Sequence, residues 1–186
     1  MRDELSVAFV CTGNRFRSPL AAALFVRASD GVPVQVRSLG TLDLGSVGAL
    51  PEAAAAAARL GLDLSQHRAR GIVPGSLADC DLVVGFERAH VAAAVIDGKA
   101  LRERAFTLPE LVGLVGSADG PATGDAVDRA RESIARADAA RRGRDRLELP
   151  EVKDPLGRSE REQVEIGRTV ESLAVTLARS LFGRRG

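Results

Sequence analysis

The chain has 186 residues, of which 45% are hydrophobic and 27% are charged, a composition typical of a globular protein with one sizeable core. Its 26 Lys and Arg residues nearly balance 25 Asp and Glu residues, which gives a formal net charge of +1. This balance argues against nucleic acid or an anionic membrane as a partner, and no apolar stretch approaches the length of a membrane span. We expect a cytoplasmic protein without a signal segment; composition leaves its oligomeric state open.

The cysteine and histidine content also limits the chemistry. Cys11 and Cys80 are too few for a disulfide scaffold, and His67 and His90 do not stand in the spacing of zinc ligands. We therefore expect reduced thiols and no metal or other cofactor. Both histidines are assigned to structural roles.

Short apolar runs alternate with helix-like segments along the chain. Strands are predicted at 5–10, 34–38, 81–86 and 104–108, and helices at 19–29, from 51 to about 61, at 88–96 and from 159 onward. This alternation predicts an α/β fold with a parallel four-stranded sheet, helices on both faces and the flavodoxin-like strand order. In such a sheet, the site lies at the carboxyl end of the first strand.

One segment, at about 117–147, differs from the rest in composition. Gly, Ser and Ala give way to alternating acids and arginines with few large apolar residues. We interpret it as a charged insertion on the surface of a single domain that spans residues 1–186. A decorated surface loop is the preferred interpretation, and a solvated helix is the alternative.

A thiol and a guanidinium stand at the two ends of a short loop that leads into the first predicted helix. The loop, CTGNRFRS, runs from Cys11 to Ser18. Such a loop can turn consecutive backbone amides onto a phosphate, and the helix N-terminus adds partial positive charge there. Gly13 permits a tight curl, Asn14 tolerates positive φ, and the planar fork of Arg17 can hold two phosphate oxygens.

The same positive field favours the thiolate form of a cysteine, so we expect Cys11 to attack phosphorus. Ser18 is expected both to donate a hydrogen bond to the sulfur and to cap the helix. Thr12, Arg15 and Phe16 complete the predicted phosphate-binding set. Taken singly, these residues are equally typical of a buried thiol and a solvated arginine; a Walker-type nucleotide loop is disfavoured because its lysine and second glycine are missing.

These residues resemble the low-molecular-weight protein-tyrosine phosphatase family, in its bacterial form, whose loop has a cysteine, five further residues, then arginine and serine. The segments SLGT at 38–41 and GLDLSQHRAR at 61–70 are similar to further parts of that family. Asp154, followed by Pro155, resembles the late aspartate that serves the family as general acid.

The resemblance implies a phosphomonoester hydrolase that forms a phosphocysteine at Cys11. Arg17 would grip the phosphate, and Asp154 would protonate the leaving group and then activate water. The substrate would be a phosphorylated protein or a small phosphate ester. The resemblance also implies that Ser38 hydrogen-bonds Asn14 and holds its strained conformation.

Three positions depart from the family pattern. Phe16 stands where the family often has a second cysteine, so protection of the nucleophile by that disulfide is absent. Leu156 stands where an aromatic residue often flanks the substrate, and the chain has neither Tyr nor Trp, which leaves a preference for phosphotyrosine open. Arg15 leads to the hypothesis that the substrate is acidic or multiply phosphorylated.

Two alternative functions fit the same loop. One is an arsenate reductase of this fold that uses a small-thiol cofactor, because Phe86 stands where a thioredoxin-linked reductase would carry a further cysteine. The other is a non-catalytic module that captures phosphate without hydrolysing an ester. An intact Cys11 and an acid at Asp154 favour catalysis.

Overall fold

The computed structural model describes residues 3–116, 124–141 and 150–183. Each predicted strand and helix is present, with ends shifted by a few residues. The strands are β1 (Leu5–Cys11), β2 (Val34–Gly40), β3 (Leu82–Gly85) and β4 (Ala105–Thr107); the helices are α1 (Arg17–Ala28), α2 (Pro51–Arg59), α3 (Arg88–Ile96), α4 (Leu108–Val115), α5 (Ala126–Arg141) and α6 (Glu160–Phe182).

The four strands form one parallel sheet in the order β2-β1-β3-β4. In the register of the sheet, Cys11 at the end of β1 lies opposite Gly40 of β2, and Val10 lies opposite Gly85 of β3. Every residue of β1 is buried, as expected for a strand covered on both faces. The predicted parallel α/β fold and its strand order are confirmed.

Alternate residues of β1 face two different cores, because successive side chains of a strand point to opposite faces. Leu5, Val7 and Phe9 pack in the larger core with α1, α2, α4, α5 and α6. Ala8 and Val10 pack in the smaller core with α3. The chain leaves β1 toward β2 on one side while β3 lies on the other, so the crevice beyond the end of β1 is the topological switch point of the sheet.

Helix α1 begins earlier than predicted, at Arg17, and Phe16 is its N-cap residue. Ser18 is therefore inside the first turn and does not cap the helix, which corrects one of its two expected roles. The physical reason is that the curl of the loop continues directly into the helix. Arg17 and Ser18 are buried there, with their side chains turned toward the residues around the end of β1.

The interpretation of the charged segment as a surface loop is wrong for residues 126–141, which form α5. Its apolar residues line one side of the helix and join the larger core: Val127, Ala130, Ile134 and Ala137. Two of its arginines contact residues elsewhere in the fold. Arg131 pairs with Asp81 at 3.1 Å, and the Arg141 guanidinium lies 4.0 Å from the centroid of the Phe106 ring.

Small residues explain why a charged segment packs so well. The small side chains of Ala130 and Ala137 let the helix approach its neighbours closely, and the long arginine side chains cover apolar surface with their stems. The flanking parts of the predicted insertion, 117–123 and 142–147, lie outside the described residues. Within the described part of the chain, no helix is long and apolar enough to cross a membrane.

Candidate active site

The segment from Cys11 to Ser18, here called the phosphate loop, lies at the carboxyl end of β1 and runs into α1. Asn14 at its centre has a φ of 52°, in the left-handed region that asparagine tolerates. The end of β2 lies directly against the loop. A Cβ atom on Gly40 would lie 2.8 Å from the Thr12 carbonyl oxygen, so this position requires glycine.

Asn14 is held by hydrogen bonds with three residues from two other parts of the chain. Its Nδ2 donates to Ser18 Oγ at 2.9 Å, and its Oδ1 accepts from the backbone N–H of Arg70 at 3.0 Å. The His67 ring nitrogen Nε2 donates to its carbonyl oxygen at 2.7 Å. His67 and Arg70 belong to the GLDLSQHRAR segment, so that segment fixes the strained residue of the loop.

The expected hydrogen bond from Ser38 to Asn14 is not among these contacts. Ser38 lies within β2, paired in register with Phe9, two residues before the Gly40 that meets the loop. Ser18, by contrast, lies one turn beyond Asn14 on α1 and takes the place of Ser38 as the hydroxyl partner.

The Cys11 sulfur lies at the N-terminus of α1, beside a hydroxyl group. Its Sγ is 3.0 Å from Ser18 Oγ, which is also 3.3 Å from the carbonyl oxygen of Leu39. Because Asn14 donates to the same oxygen, the hydroxyl hydrogen of Ser18 is available to the sulfur or to Leu39. This geometry allows Ser18 to stabilise a thiolate.

The Arg17 guanidinium is buried between two carboxylates. Its Nη1 donates to Glu87 and, at 2.9 Å, to the carbonyl oxygen of Val152. Its Nη2 donates to Asp154 and, at 3.2 Å, to Thr12 Oγ1. Only 1% of the residue is exposed, and these four acceptors use all the hydrogens of Nη1 and Nη2, which holds the guanidinium in one position.

Asp154 reaches the phosphate loop from a distant part of the chain, 137 residues after Arg17. Its Oδ2 accepts from Arg17 and, at 3.2 Å, from Thr12 Oγ1. Its Oδ1 accepts from the backbone N–H of Leu156 at 2.9 Å. Asp154 therefore lies against the loop that contains Cys11 and Arg17, the two other residues predicted to carry the chemistry.

Glu87 and His90 also belong to this site, although no sequence motif indicated Glu87 and His90 was expected to have only a structural role. His90 is 2% exposed; its Nδ1 accepts from the backbone N–H groups of Phe86 and Glu87, at 3.3 and 3.1 Å, and its Nε2 lies 3.0 Å from Thr12 Oγ1. Burial, followed by the positive charge of Arg17, lowers the pKa of His90 from 6.5 to about 4. The ring is therefore neutral at pH 7.

The remaining predicted residues of the loop have different surroundings. Gly13 packs against Leu44, whose Cδ1 would lie 3.0 Å from a Cβ atom on Gly13. Arg15 donates from Nε to the carbonyl oxygen of Gly48 at 2.9 Å. The Phe16 side chain is buried in the larger core, so any contact of this residue with a phosphate would have to come from its backbone.

A model of the low molecular weight phosphotyrosine protein phosphatase family matches residues 6–121, more than half of the chain. The chain belongs to this family. The matched region contains the whole phosphate loop, His67, Glu87 and His90, but it ends before Asp154. The position of Asp154 in the site is therefore a finding of the structure.

Several members of the family are similar over long stretches. The chain is 32% identical to the protein-arginine-phosphatase of Bacillus subtilis over 110 residues, which are 58% of this chain and 73% of that protein. It is 41% identical to the probable low molecular weight protein-tyrosine-phosphatase EpsP of Ralstonia solanacearum over 83 residues, 43% of this chain and 55% of that one. The match thus spans little more than half the length of EpsP.

Solved structures of the family have the same fold over nearly the whole chain. The YwlE arginine phosphatase with a phosphorylated serine in its active site superposes with a TM-score of 0.71 at 25% identity, covering 97% of this chain and 98% of that one. The family match and these likenesses make the protein a cysteine-based phosphatase. They do not favour arsenate reduction or phosphate binding without catalysis.

The position at which thioredoxin-linked arsenate reductases would carry a cysteine has a different use here. Phe86 is fully buried, and the Arg17 guanidinium lies 5.8 Å from the centroid of its ring. Cys80 is buried as well and accepts a hydrogen bond from Arg37 Nη2 at 3.1 Å. Phe86 thus supports the site as a surface beneath the arginine.

Proposed function

We propose that the protein hydrolyses phosphotyrosyl side chains of proteins, or comparable aryl phosphate esters, through a covalent phosphocysteine at Cys11. The observation that carries this proposal is the convergence of the Cys11 sulfur, the buried Arg17 guanidinium and the Asp154 carboxyl group on one loop at a helix N-terminus. The three groups supply a nucleophile, an oxyanion clamp and a general acid.

In the first step, the Cys11 thiolate attacks phosphorus as the bond to the leaving oxygen breaks. The amides of the loop hold the other phosphate oxygens through the transition state, together with Arg17, whose Nη2 exchanges its contacts with Asp154 and Thr12 for the bound phosphate. Asp154, in its protonated form, gives its proton to the leaving phenol oxygen. The products of this step are a phosphocysteine, a free phenol and the Asp154 carboxylate.

In the second step, water attacks the phosphocysteine. The Asp154 carboxylate takes a proton from that water, an S–P bond breaks, and inorganic phosphate leaves with the Cys11 thiolate restored. Ser18 Oγ, 3.0 Å from the sulfur, donates a hydrogen bond to the departing thiolate. One carboxyl group thus serves both steps and returns to its protonated form at the end.

An apolar rim favours an aryl leaving group. Leu42 and Leu44, in the segment after β2, and Leu156, beside Asp154, are exposed although they are large and hydrophobic. The Leu42 backbone donates to the phosphate loop, and Leu44 packs against Gly13. An aryl group attached to the bound phosphate would cover these leucines and gain the free energy of burying apolar surface. An aromatic residue at position 156 is not needed for this contribution.

The Bacillus subtilis relative motivates one competing substrate, phosphoarginine. The leaving group of phosphoarginine is a guanidinium. Arg15 of the phosphate loop carries the same charge, and like charges at close range are unfavourable. Arg15 therefore favours a phosphotyrosyl over a phosphoarginyl substrate.

The proposed function is tested with two peptides of the same sequence, one phosphotyrosyl and one phosphoarginyl, assayed in the presence of a metal chelator. We expect release of phosphate from the first with kcat/KM higher by about tenfold or more, and inhibition by vanadate. The reverse order would assign to this chain the activity for which the Bacillus subtilis relative is named. Failure to hydrolyse either peptide, or any aryl phosphate, would contradict the proposal.

Arg15 gives a second prediction, on the sequence around the phosphorylated residue. With Nε fixed by Gly48, its partly exposed guanidinium can pair with an acidic neighbour of the phosphotyrosine. In Arg15→Glu we expect the preference for acidic over neutral flanking residues, measured as a ratio of kcat/KM values, to fall about three- to tenfold.

The matched control is Arg168→Glu, an equal change of charge at an exposed position on α6. This variant should keep the preference of the wild type. An unchanged preference in Arg15→Glu, or an equal loss in both variants, would show that Arg15 does not select the substrate.

We further propose that the protein works in the cytoplasm. Both cysteines are free thiols, as is usual in a reducing compartment, and the proposed chemistry requires Cys11 to stay reduced. Recovery of the active protein only from an extracellular fraction would contradict this assignment.

A further inference from the structure

The tautomer of His90 follows from its hydrogen bonds. Its Nδ1 accepts from two backbone N–H groups, those of Phe86 and Glu87, so the lone pair of that nitrogen is used. The ring hydrogen is then on Nε2, which lies 3.0 Å from Thr12 Oγ1. His90 therefore donates to the threonine hydroxyl.

The direction of the Thr12 hydroxyl follows in turn. Its oxygen accepts from His90 Nε2 and, at 3.2 Å, from Arg17 Nη2, which occupies both of its lone pairs. Its single hydrogen is left for Asp154 Oδ2, at 3.2 Å. The neighbours of the hydroxyl thus permit only one arrangement, in which Thr12 donates to the carboxyl group.

We propose that Thr12 and His90 are positioning residues that hold the Asp154 carboxyl group over the phosphate loop. This inference rests on the proposed function, in which Asp154 is the general acid and base. The Asp154 side chain is 40% exposed; the Leu156 N–H donates to Oδ1, and the second oxygen, Oδ2, accepts from both Arg17 and Thr12. The hydroxyl of Thr12 ties the second oxygen to the residue next to Cys11.

The burial of His90 makes this arrangement independent of pH near neutrality. Burial and the Arg17 charge outweigh the carboxylates of Glu87, Asp154 and Glu151, and lower the pKa of the ring to about 4. The imidazole therefore keeps its hydrogen on Nε2 throughout the neutral range. An exposed histidine would change its charge near pH 6.5 and would become a double donor.

The test compares two substrates that differ in how much they need the acid. The leaving group of p-nitrophenyl phosphate departs readily without a proton, whereas that of phenyl phosphate does not. In Thr12→Val, which keeps the shape but removes the hydroxyl, we expect kcat/KM for phenyl phosphate to fall about five- to tenfold more than for p-nitrophenyl phosphate. Thr12→Ser, which keeps the hydroxyl, should restore most of this loss.

His90→Asn tests the other end of the chain of hydrogen bonds. The asparagine Oδ1 can accept from the two backbone N–H groups, as Nδ1 does, but no donor then reaches Thr12. We expect the same selective loss on phenyl phosphate. In the Asp154→Asn background, Thr12→Val should cause no further selective loss, because the two changes act on one interaction.

The matched control is His67→Asn, which removes the other histidine bonded to the phosphate loop, on the Asn14 carbonyl oxygen. This variant should lower kcat/KM for both substrates alike. Equal losses on both substrates in Thr12→Val, or a full selective loss that persists without Asp154, would overturn the inference. A wild type that hydrolyses neither ester would instead overturn the proposed function.

Discussion

Replacement of Cys11 by serine is expected to abolish turnover, with a fall in kcat of about 10⁴-fold or more. An alcohol is a much weaker acid than a thiol, so the field at the N-terminus of α1 cannot produce the alkoxide that the first step needs. The side chain keeps its size and the neighbouring Ser18 hydroxyl, so the phosphate loop should remain folded. Aryl phosphate hydrolysis measures the loss, and protection against thermal unfolding by inorganic phosphate measures the surviving oxyanion site.

The other cysteine supplies the matched control. Cys80 is buried before β3 and bonded to Arg37, away from the loop, so Cys80→Ser should retain turnover. Rapid acid quenching of the wild type followed by peptide mass spectrometry should place one phosphoryl group on Cys11. Hydrolysis by Cys11→Ser at the wild-type rate would contradict a phosphocysteine intermediate. A phosphoryl group found on another residue would contradict it as well.

Local sequence signals were sufficient for most of the fold because a parallel α/β sheet is built from short, fully buried strands. Examples of such local signals are the apolar run of β1 and the capping pattern of Ser159 and Glu162 at the start of α6. Helix α4 has equally local signals in Thr107, Pro109 and Glu110. It was missed because it follows β4 without any loop between them.

Helix α5 was misjudged for a different reason. Its charge content resembles that of a solvated segment, but the free energy of packing depends on one face only. Alanines at 130 and 137 look neutral in composition, yet they let this face join the core. The arginine partners, Asp81 and Phe106, belong to strand regions far along the chain, so nothing local to α5 indicates them.

The residues of the site likewise divide into those with a local sequence signal and those that the fold brings together. Cys11 and Arg17 are separated by five residues that include Gly13, between a buried strand and a helix, and this local pattern predicted an oxyanion loop. His90 and Glu87 follow β3, and they reach the loop only because β3 lies beside β1 in the sheet. Polar residues that directly follow a strand next to β1 are therefore candidates for the site, and this criterion selects both of them. The expected hydrogen bond between Ser38 and Asn14 came from the resemblance alone, and Asn14 donates to Ser18 instead.

Asp154→Asn is expected to lower kcat/KM for phenyl phosphate by about 10²–10⁴-fold, and much less for p-nitrophenyl phosphate. The amide keeps the shape of the side chain and can still accept from the Leu156 N–H, but it has no proton to give to the leaving oxygen. The effect should therefore grow with the basicity of the leaving group. Steady-state kinetics on a series of aryl phosphates measures it.

Glu87→Gln is the matched control for Asp154→Asn, because Glu87 is the other carboxylate paired with Arg17. Glutamine at position 87 removes the same negative charge from beside the Arg17 guanidinium, but it leaves Asp154 in place as the general acid. The expected result is a loss that is independent of the leaving group. If instead both variants lost activity in the same way across the series, Asp154 would act only by orienting Arg17, and the proton would have to come from another group. A dependence on the leaving group confined to Asp154→Asn would separate proton donation from the electrostatic role that the two carboxylates share.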